Sequence, residues 1–315
     1  MSTTDTATNP NRAQACTKPS LQRIPARESV LGEGMRIRRA LPAQVRKTIG
    51  AWVFLDHFGP LDISHGDGMR VGPHPHTGLQ TFTWPISGEI LHRDSLGYEQ
   101  LIRPGQINLM TAGRGISHSE ESPTERSPII HGAQLWIALP DSHRDIEPAF
   151  EHYPVVPALD RDGFHITVLC GEFSGLSSPV KVYSPMIGLE LLSGAAADFA
   201  IPLRREFEHG VLVLEGEVTF CEQTVGPGEL LYLPTGADVA QLSSAGASRT
   251  LLIGGTPYTD DLLIWWNFIG RNKADIERYS DDWNAGRGFG EVKGYPGARL
   301  TAPPVPWARK TEGAT

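Results

Sequence analysis

Apolar and polar residues alternate in short runs along most of this chain, and glycine, proline and aspartate bound the runs. Thr81-Phe82-Thr83-Trp84, Gln106-Ile107-Asn108-Leu109-Met110 and Ala133-Gln134-Leu135-Trp136-Ile137 mix both kinds within four or five residues, the pattern of β-strands with unlike faces. Turn sequences such as Asp94-Ser95-Leu96-Gly97 and Arg103-Pro104-Gly105 separate them. A second group of strand-like runs starts near Gly163 with Phe164-His165-Ile166-Thr167-Val168-Leu169, followed by Val211-Leu212-Val213-Leu214 and Glu229-Leu230-Leu231-Tyr232-Leu233. Only the end of the chain predicts a helix, from Lys273-Ala274-Asp275-Ile276-Glu277-Arg278-Tyr279 towards Trp283. Residues 1–20 read as a polar, disordered tail. A proline-bearing stretch between about 147 and 162, with Pro148, Pro154 and Pro157, divides the rest. The expected organisation is therefore a first β-domain over 21–150 and a second over 163–315, the second carrying the helical end.

The two halves look like copies. Ile86-Ser87-Gly88-Glu89-Ile90 matches Leu214-Glu215-Gly216-Glu217-Val218, and Pro104-Gly105 with Thr111-Ala112-Gly113 matches Pro227-Gly228 with Pro234-Thr235-Gly236. Such a duplication predicts two small β-barrels. The pattern resembles the cupin barrel, a double-stranded jelly roll, so the expected fold is all-β: a bicupin of two double-stranded β-helix barrels with a short C-terminal helical segment.

Candidate chemistry concentrates in the first copy. His74-Pro75-His76 is answered 42 residues after His76 by His118-Ser119-Glu120. Residues i and i+2 of a strand point to the same face, so each pair presents two side chains together. Three imidazoles and one carboxylate offer a divalent ion four N/O ligands with positions left open, a set that suits Fe, Mn, Ni, Co, Cu or Zn. Superposing the copies on Gly88 and Gly216 puts Pro202 and Arg204 where His74 and His76 stand, and Val239 where the second motif needs histidine. One metal per chain is expected, in the first barrel. Because protons compete for imidazole, acidification through the histidine range should release it.

Composition narrows the class. The 315 residues, 40% of them hydrophobic, can bury a sizeable core, and 34 glycines and 25 prolines favour short strands and turns. A net charge of −8 without any basic run argues against direct nucleic-acid binding. No stretch of about 18 apolar residues predicts a membrane span, and the polar start does not resemble a secretory leader, so a soluble, cytoplasmic protein is expected.

Longer segments carry a family resemblance. Phe54-Leu55-Asp56-His57-Phe58-Gly59-Pro60, Pro73-His74-Pro75-His76-Thr77-Gly78-Leu79-Gln80-Thr81, Met110-Thr111-Ala112-Gly113-Arg114-Gly115-Ile116-Ser117-His118-Ser119-Glu120, Gln134-Leu135-Trp136-Ile137 and Trp265-Trp266-Asn267-Phe268-Ile269-Gly270 are similar to the pirin family of bicupins. The resemblance spans about residue 20 to about 305. It implies a mononuclear non-haem iron site, Fe(II) first among the divalent metals, held by His74, His76, His118 and Glu120. It further implies a flavonol (quercetin) 2,4-dioxygenase acting on a small aromatic substrate and O₂, with Glu120 both ligand and catalytic base. The alternative it carries is a non-enzymatic, iron-dependent regulator that binds a protein partner and responds to redox state. The chain departs from many pirins at Gln80, where glutamate is common and other cupins carry a further ligand, and at Ala138, where asparagine is common. His92-Arg93-Asp94 reads either as an outer support for a ligand imidazole or as a solvent-facing hairpin end. Arg114 reads as a charge at the cavity mouth or as a partner for Glu120, Glu121 or another carboxylate. Ser117 and Ser119 lack a base, and Trp84, Trp136, Trp265 and Trp266 read as packing residues.

Overall fold

A computed structural model describes residues 21–307, and the expected disordered tail at 1–20 lies outside the described residues. The first half supplies β1 (Gln22–Pro25), β2 (Arg27–Leu31), β3 (Met35–Leu41), β4 (Trp52–Asp62), β5 (Arg70–His76) and β6 (Leu79–Ser87). It continues with β7 (Ile90–Asp94), β8 (Glu99–Ile102), β9 (Ile107–Thr111), β10 (Ile116–Glu121), β11 (Ile129–Ala138) and β12 (Ala149–Tyr153). The second half begins with β13 (Ala158–Arg161), β14 (Phe164–Cys170) and the two-residue strands β15 (Glu172–Phe173) and β16 (Leu176–Ser177). Then follow β17 (Met186–Ser193), β18 (Ala197–Pro202), β19 (Glu208–Glu215), β20 (Val218–Phe220), β21 (Gln223–Val225), β22 (Glu229–Leu233), β23 (Val239–Ser244) and β24 (Ser248–Gly255). A hairpin of β25 (Leu263–Trp265) and β26 (Phe268–Gly270) leads into α1 (Lys273–Asn284), whose Asn272 side chain accepts from the Asp275 amide at 3.0 Å as an N-cap.

The duplication is visible strand by strand. A seven-stranded sheet in the order β12-β9-β6-β11-β4-β3-β2 and a four-stranded sheet β5-β10-β7-β8 form the first barrel. The orders β1-β22-β19-β24-β17-β14-β13 and β18-β23-β20-β21 repeat them in the second. His74 faces His118 across β5 and β10, and Pro202 faces Val239 at the matching place across β18 and β23.

Packing between the barrels rests on the large sheets. Phe82 and Trp84 of β6 and Leu135 and Ile137 of β11 share one buried cluster with Leu212, Leu214, Leu230, Leu251 and Ile253 of the second barrel. Trp84 Nε1 donates to Glu190 Oε1 at 3.0 Å, and Arg249 pairs with the same carboxylate at 2.9 Å. Neighbouring positions on these strands point the other way, into the first barrel, as Thr83 and Trp136 do.

The expected division at 21–150 and 163–315 fails at both ends. Strand β1 pairs with β22, Gln22 opposite Tyr232, and so belongs to the second barrel's sheet. The chain after β24 returns to the first barrel: Phe268 bridges Thr77, and the Leu300 amide donates to the Pro73 carbonyl. The cause is apolar cover, because Phe268, Ile276, Tyr279, Trp283 and Phe289 form a cluster of their own that closes over the end of β5. Among the described residues no helix is long and apolar enough to cross a membrane.

Leu135→Ala removes a side chain held in the inter-barrel cluster and is expected to destabilise the protein by about 2–5 kcal/mol. Denaturant unfolding measures it; a loss under about 0.5 kcal/mol would show that the barrels do not depend on this packing.

Candidate metal centre

The four-stranded sheet of the first barrel places β10 between β5 and β7, and all three strands send polar side chains into the barrel. His74 and His76 come from β5, His118 and Glu120 from β10, and all four are buried. The β5–β10 register shifts between His118, opposite His74, and Glu120, opposite Val71. This bulge puts one extra residue into β5, so that Val71 rather than Gly72 joins Glu120 and the histidines around the pocket. One nitrogen from each of His74, His76 and His118 lies within 4.8 Å of the others, and Glu120 stands in the same relation to His118 and His92.

The outer ring nitrogens are engaged. His74 Nδ1 lies 2.9 Å from the Gly72 carbonyl and His76 Nδ1 3.0 Å from the Asn267 carbonyl. A carbonyl only accepts, so both Nδ1 atoms carry the proton and both Nε2 atoms keep a lone pair. His76 Nε2 and His118 Nε2 are 3.1 Å apart. Two nitrogens bound to one ion at about 2.1 Å and a right angle are about 3 Å apart, so this donor set fits a transition metal. Three imidazoles and a carboxylate leave the identity of that metal open.

Burial sets the protonation of the cluster. It pushes His74 down to about 4, against the Gly72 carbonyl, and His76 and His118 well below the usual histidine value. It also pushes Glu120 up to about 7, against the Thr83 hydroxyl that donates to Glu120 Oε1 at 3.3 Å.

The group opens into a pocket of about 410 Å³. Phe54 stacks on Trp136 with centroids 3.9 Å apart and planes 11° from parallel, and the Arg39 guanidinium lies 4.3 Å from the centroid of the same Phe54 ring. Arg39 also grips Asp56 through two 2.7 Å hydrogen bonds. Trp136 meets His76 edge to face at 5.0 Å. Ile264, Trp266, Asn267 and Leu300 from the returning C-terminal segment complete the rim.

Several expectations change. Gln80 does not face the pocket: its Nε2 donates to Thr111 Oγ1 at 2.9 Å and to the Lys181 carbonyl at 3.0 Å, on the β6 face opposite Thr83. Glutamate at this position would therefore approach the second barrel rather than an ion. Arg114 is exposed and pairs with the Glu147 carboxylate at 2.7 Å, which meets the second of its two readings. Ser117 donates to the carbonyls of Phe289 and Gly290, which ties β10 to the C-terminal segment. Trp266 lines the pocket instead of serving packing alone, and Asn267 went unrecognised because a backbone carbonyl leaves no mark in side-chain chemistry. His92 and Asp94 are buried beside the cluster, not at a solvent-facing end. Their i, i+2 spacing repeats that of the two ligand pairs.

Residues 34–137 match the Pirin family and residues 189–290 match the Pirin C-terminal cupin domain. A Pseudomonas aeruginosa protein provisionally named a quercetin 2,3-dioxygenase is 48% identical over 91% of this chain and 91% of its own. A pirin-like protein of Caulobacter vibrioides is 35% identical over 83% of this chain and 92% of its own. The crystal structure of a quercetin 2,3-dioxygenase from Acinetobacter baumannii superposes with a TM-score of 0.89 at 45% identity, covering 91% of this chain and 96% of that one.

One transition-metal ion per chain is expected to bind here, and replacing His74 and His76 together by alanine is expected to abolish that binding. Elemental analysis showing one equivalent still bound to the folded double variant would put the ion elsewhere.

The pH dependence follows from the burial. An ion must displace the proton that Glu120 holds below about pH 7, whereas the imidazoles stay neutral down to about 4. Affinity should therefore fall by about tenfold per pH unit from 7 to 4, as one proton is released, and more steeply below. Release through the ordinary histidine range, expected from sequence, is moved down by burial. Equilibrium metal titration between pH 5 and 7 decides: a three-proton dependence there would mean that water reaches the rings.

Proposed function

This chain belongs to the pirin family, and we propose that it is a mononuclear iron-dependent dioxygenase that opens flavonols such as quercetin, with His74, His76, His118 and Glu120 holding the iron. The observation that carries the reading is the buried set of imidazole lone pairs at the floor of an aromatic-walled pocket. The names of the Pseudomonas and Acinetobacter relatives support the substrate class. When bound, the iron would supply Lewis acidity towards the oxygens of the flavonol and the one-electron chemistry that reaction with O₂ requires.

The chain's own residues do the rest. Glu120, ionised once the iron is bound, is the candidate base for the 3-hydroxyl proton, and the Thr83 hydroxyl fixes which oxygen faces inward. The flat Phe54–Trp136 wall suits a planar ring system, and the Arg39–Asp56 pair keeps Phe54 from rotating. Trp266, Ile264 and Leu300 cover the rim and exclude water. In the balanced reaction, both atoms of O₂ enter the flavonol at its C2 and C4 carbons, C3 leaves as carbon monoxide, and the proton lodged on Glu120 returns to the ring-opened acid.

Glu120→Gln keeps the size and one oxygen donor but loses the base. The iron-loaded variant is expected to retain metal while turnover drops by about 10²–10⁴-fold, followed by loss of the flavonol absorption band and by oxygen uptake. Turnover at the wild-type rate would remove Glu120 as the base. An iron-loaded wild type that leaves every flavonol intact would favour the non-enzymatic regulator instead.

A further inference from the structure

We infer that His92, anchored by Asp94, is a positioning residue that fixes the tautomer of His118 and strengthens it as a metal donor; the inference rests on the metal-centre reading above. Strand β7 lies beside β10, with Asp94 opposite His118 and His92 opposite Glu120. His92 Nδ1 is 3.3 Å from His118 Nδ1, and His92 Nε2 is 3.1 Å from Asp94 Oδ2. Asp94 is itself held by the amides of Leu96 and Tyr98, which both donate to its Oδ1.

The proton positions along this chain follow from the carboxylate. It only accepts, so the single hydrogen of a neutral His92 ring sits on Nε2 and His92 Nδ1 keeps a lone pair. His118 Nδ1 must then donate to it, which leaves His118 Nε2 with its lone pair towards His76 Nε2. The reverse arrangement would set a ring lone pair against the carboxylate. His92 cannot turn out of this geometry, because its ring stacks on Phe150 at 4.4 Å with planes 14° apart and Phe150 is covered by Tyr98.

The three candidate ligands are therefore not equivalent. His74 and His76 lean on backbone carbonyls, whereas His118 leans on an imidazole backed by a carboxylate. Electron density pushed along Asp94, His92 and His118 raises the basicity of His118 Nε2, which tightens binding and favours the higher oxidation state of a redox metal. Among the three candidate histidine ligands, His118 is the one whose donor strength a side-chain substitution elsewhere can tune.

Co(II) binding to the full-length protein tests this, measured at neutral pH by competition with a chromophoric chelator. His92→Leu removes the acceptor and is expected to weaken Co(II) binding by about 10–100-fold. His92→Asn keeps an oxygen acceptor near the Nδ1 position and should recover most of that loss. The reduction potential of the iron-loaded protein should rise in His92→Leu and return towards wild type in His92→Asn. A merely structural histidine would show neither the rescue nor the shift in potential. Wild-type affinity in His92→Leu, or equal losses in both variants, would overturn the inference while leaving the metal centre intact. A wild-type protein that binds no Co(II) would overturn both.

Discussion

The two large sheets pack back to back, and almost everything else in the molecule follows from that contact. Strands β6 and β11 are buried on both faces, so residue parity alone decides what each side chain does. Phe82, Trp84, Leu135 and Ile137 go to the neighbouring barrel, each contributing about 1.5–3 kcal/mol of burial. Thr83, Gln134 and Trp136 go to the pocket. A one-residue slip in either strand would exchange the two sets, removing the aromatic wall and driving polar groups into an apolar interface. The second barrel, with Pro202 and Val239 at the places of His74 and His118, therefore has a physical reason to persist without ligands. Its large sheet covers what would otherwise be an exposed apolar face.

Features that depend on local spacing were legible in the sequence. The i, i+2 pairs at His74/His76 and His118/Glu120 predict strands that present both members together, and the Gly88/Gly216 alignment predicts a register that the strand pairing reproduces. Parity on doubly buried strands is harder to read, because neither face is marked by solvent. Gln80, where other cupins carry a further ligand, stands three residues from Thr83 on the same strand and so points the other way. The β5 bulge was likewise invisible, since one extra residue near Gly72 changes no composition. His92 and Asp94 were legible in spacing but not in burial, because a polar i, i+2 pair beside a turn fits an exposed hairpin equally well.

The ends of the chain illustrate a second limit. Strand β1 joins a partner more than 200 residues away, and the segment after β24 crosses back to the first barrel. Four residues of sequence carry no signal strong enough to choose one sheet edge over another. The consequence for the site is direct. His76 takes its tautomer from the Asn267 carbonyl, and Ser117 of β10 is tied to Phe289 and Gly290, so the last part of the chain orients groups held by the first. Each barrel thus depends on a segment from the other half of the sequence.

Divergence between the copies shows what the first barrel gives up for chemistry. The interior of the second is lined by Phe199, Ile201, Phe207, Leu231 and Leu252, with His209 a buried exception whose burial lowers it to about 4. The first barrel carries at the same depth three imidazoles, a carboxylate raised to about 7 and two ring nitrogens 3.1 Å apart. Lone pairs that face each other in a medium of low dielectric repel, and a buried carboxylate disfavours its charge. A divalent cation reverses both effects, turning repulsion into coordination and stabilising the ionised Glu120. The same arrangement that weakens the metal-free barrel would favour a bound cation, and the apolar copy beside it supplies the stability that lets such a cluster stay buried.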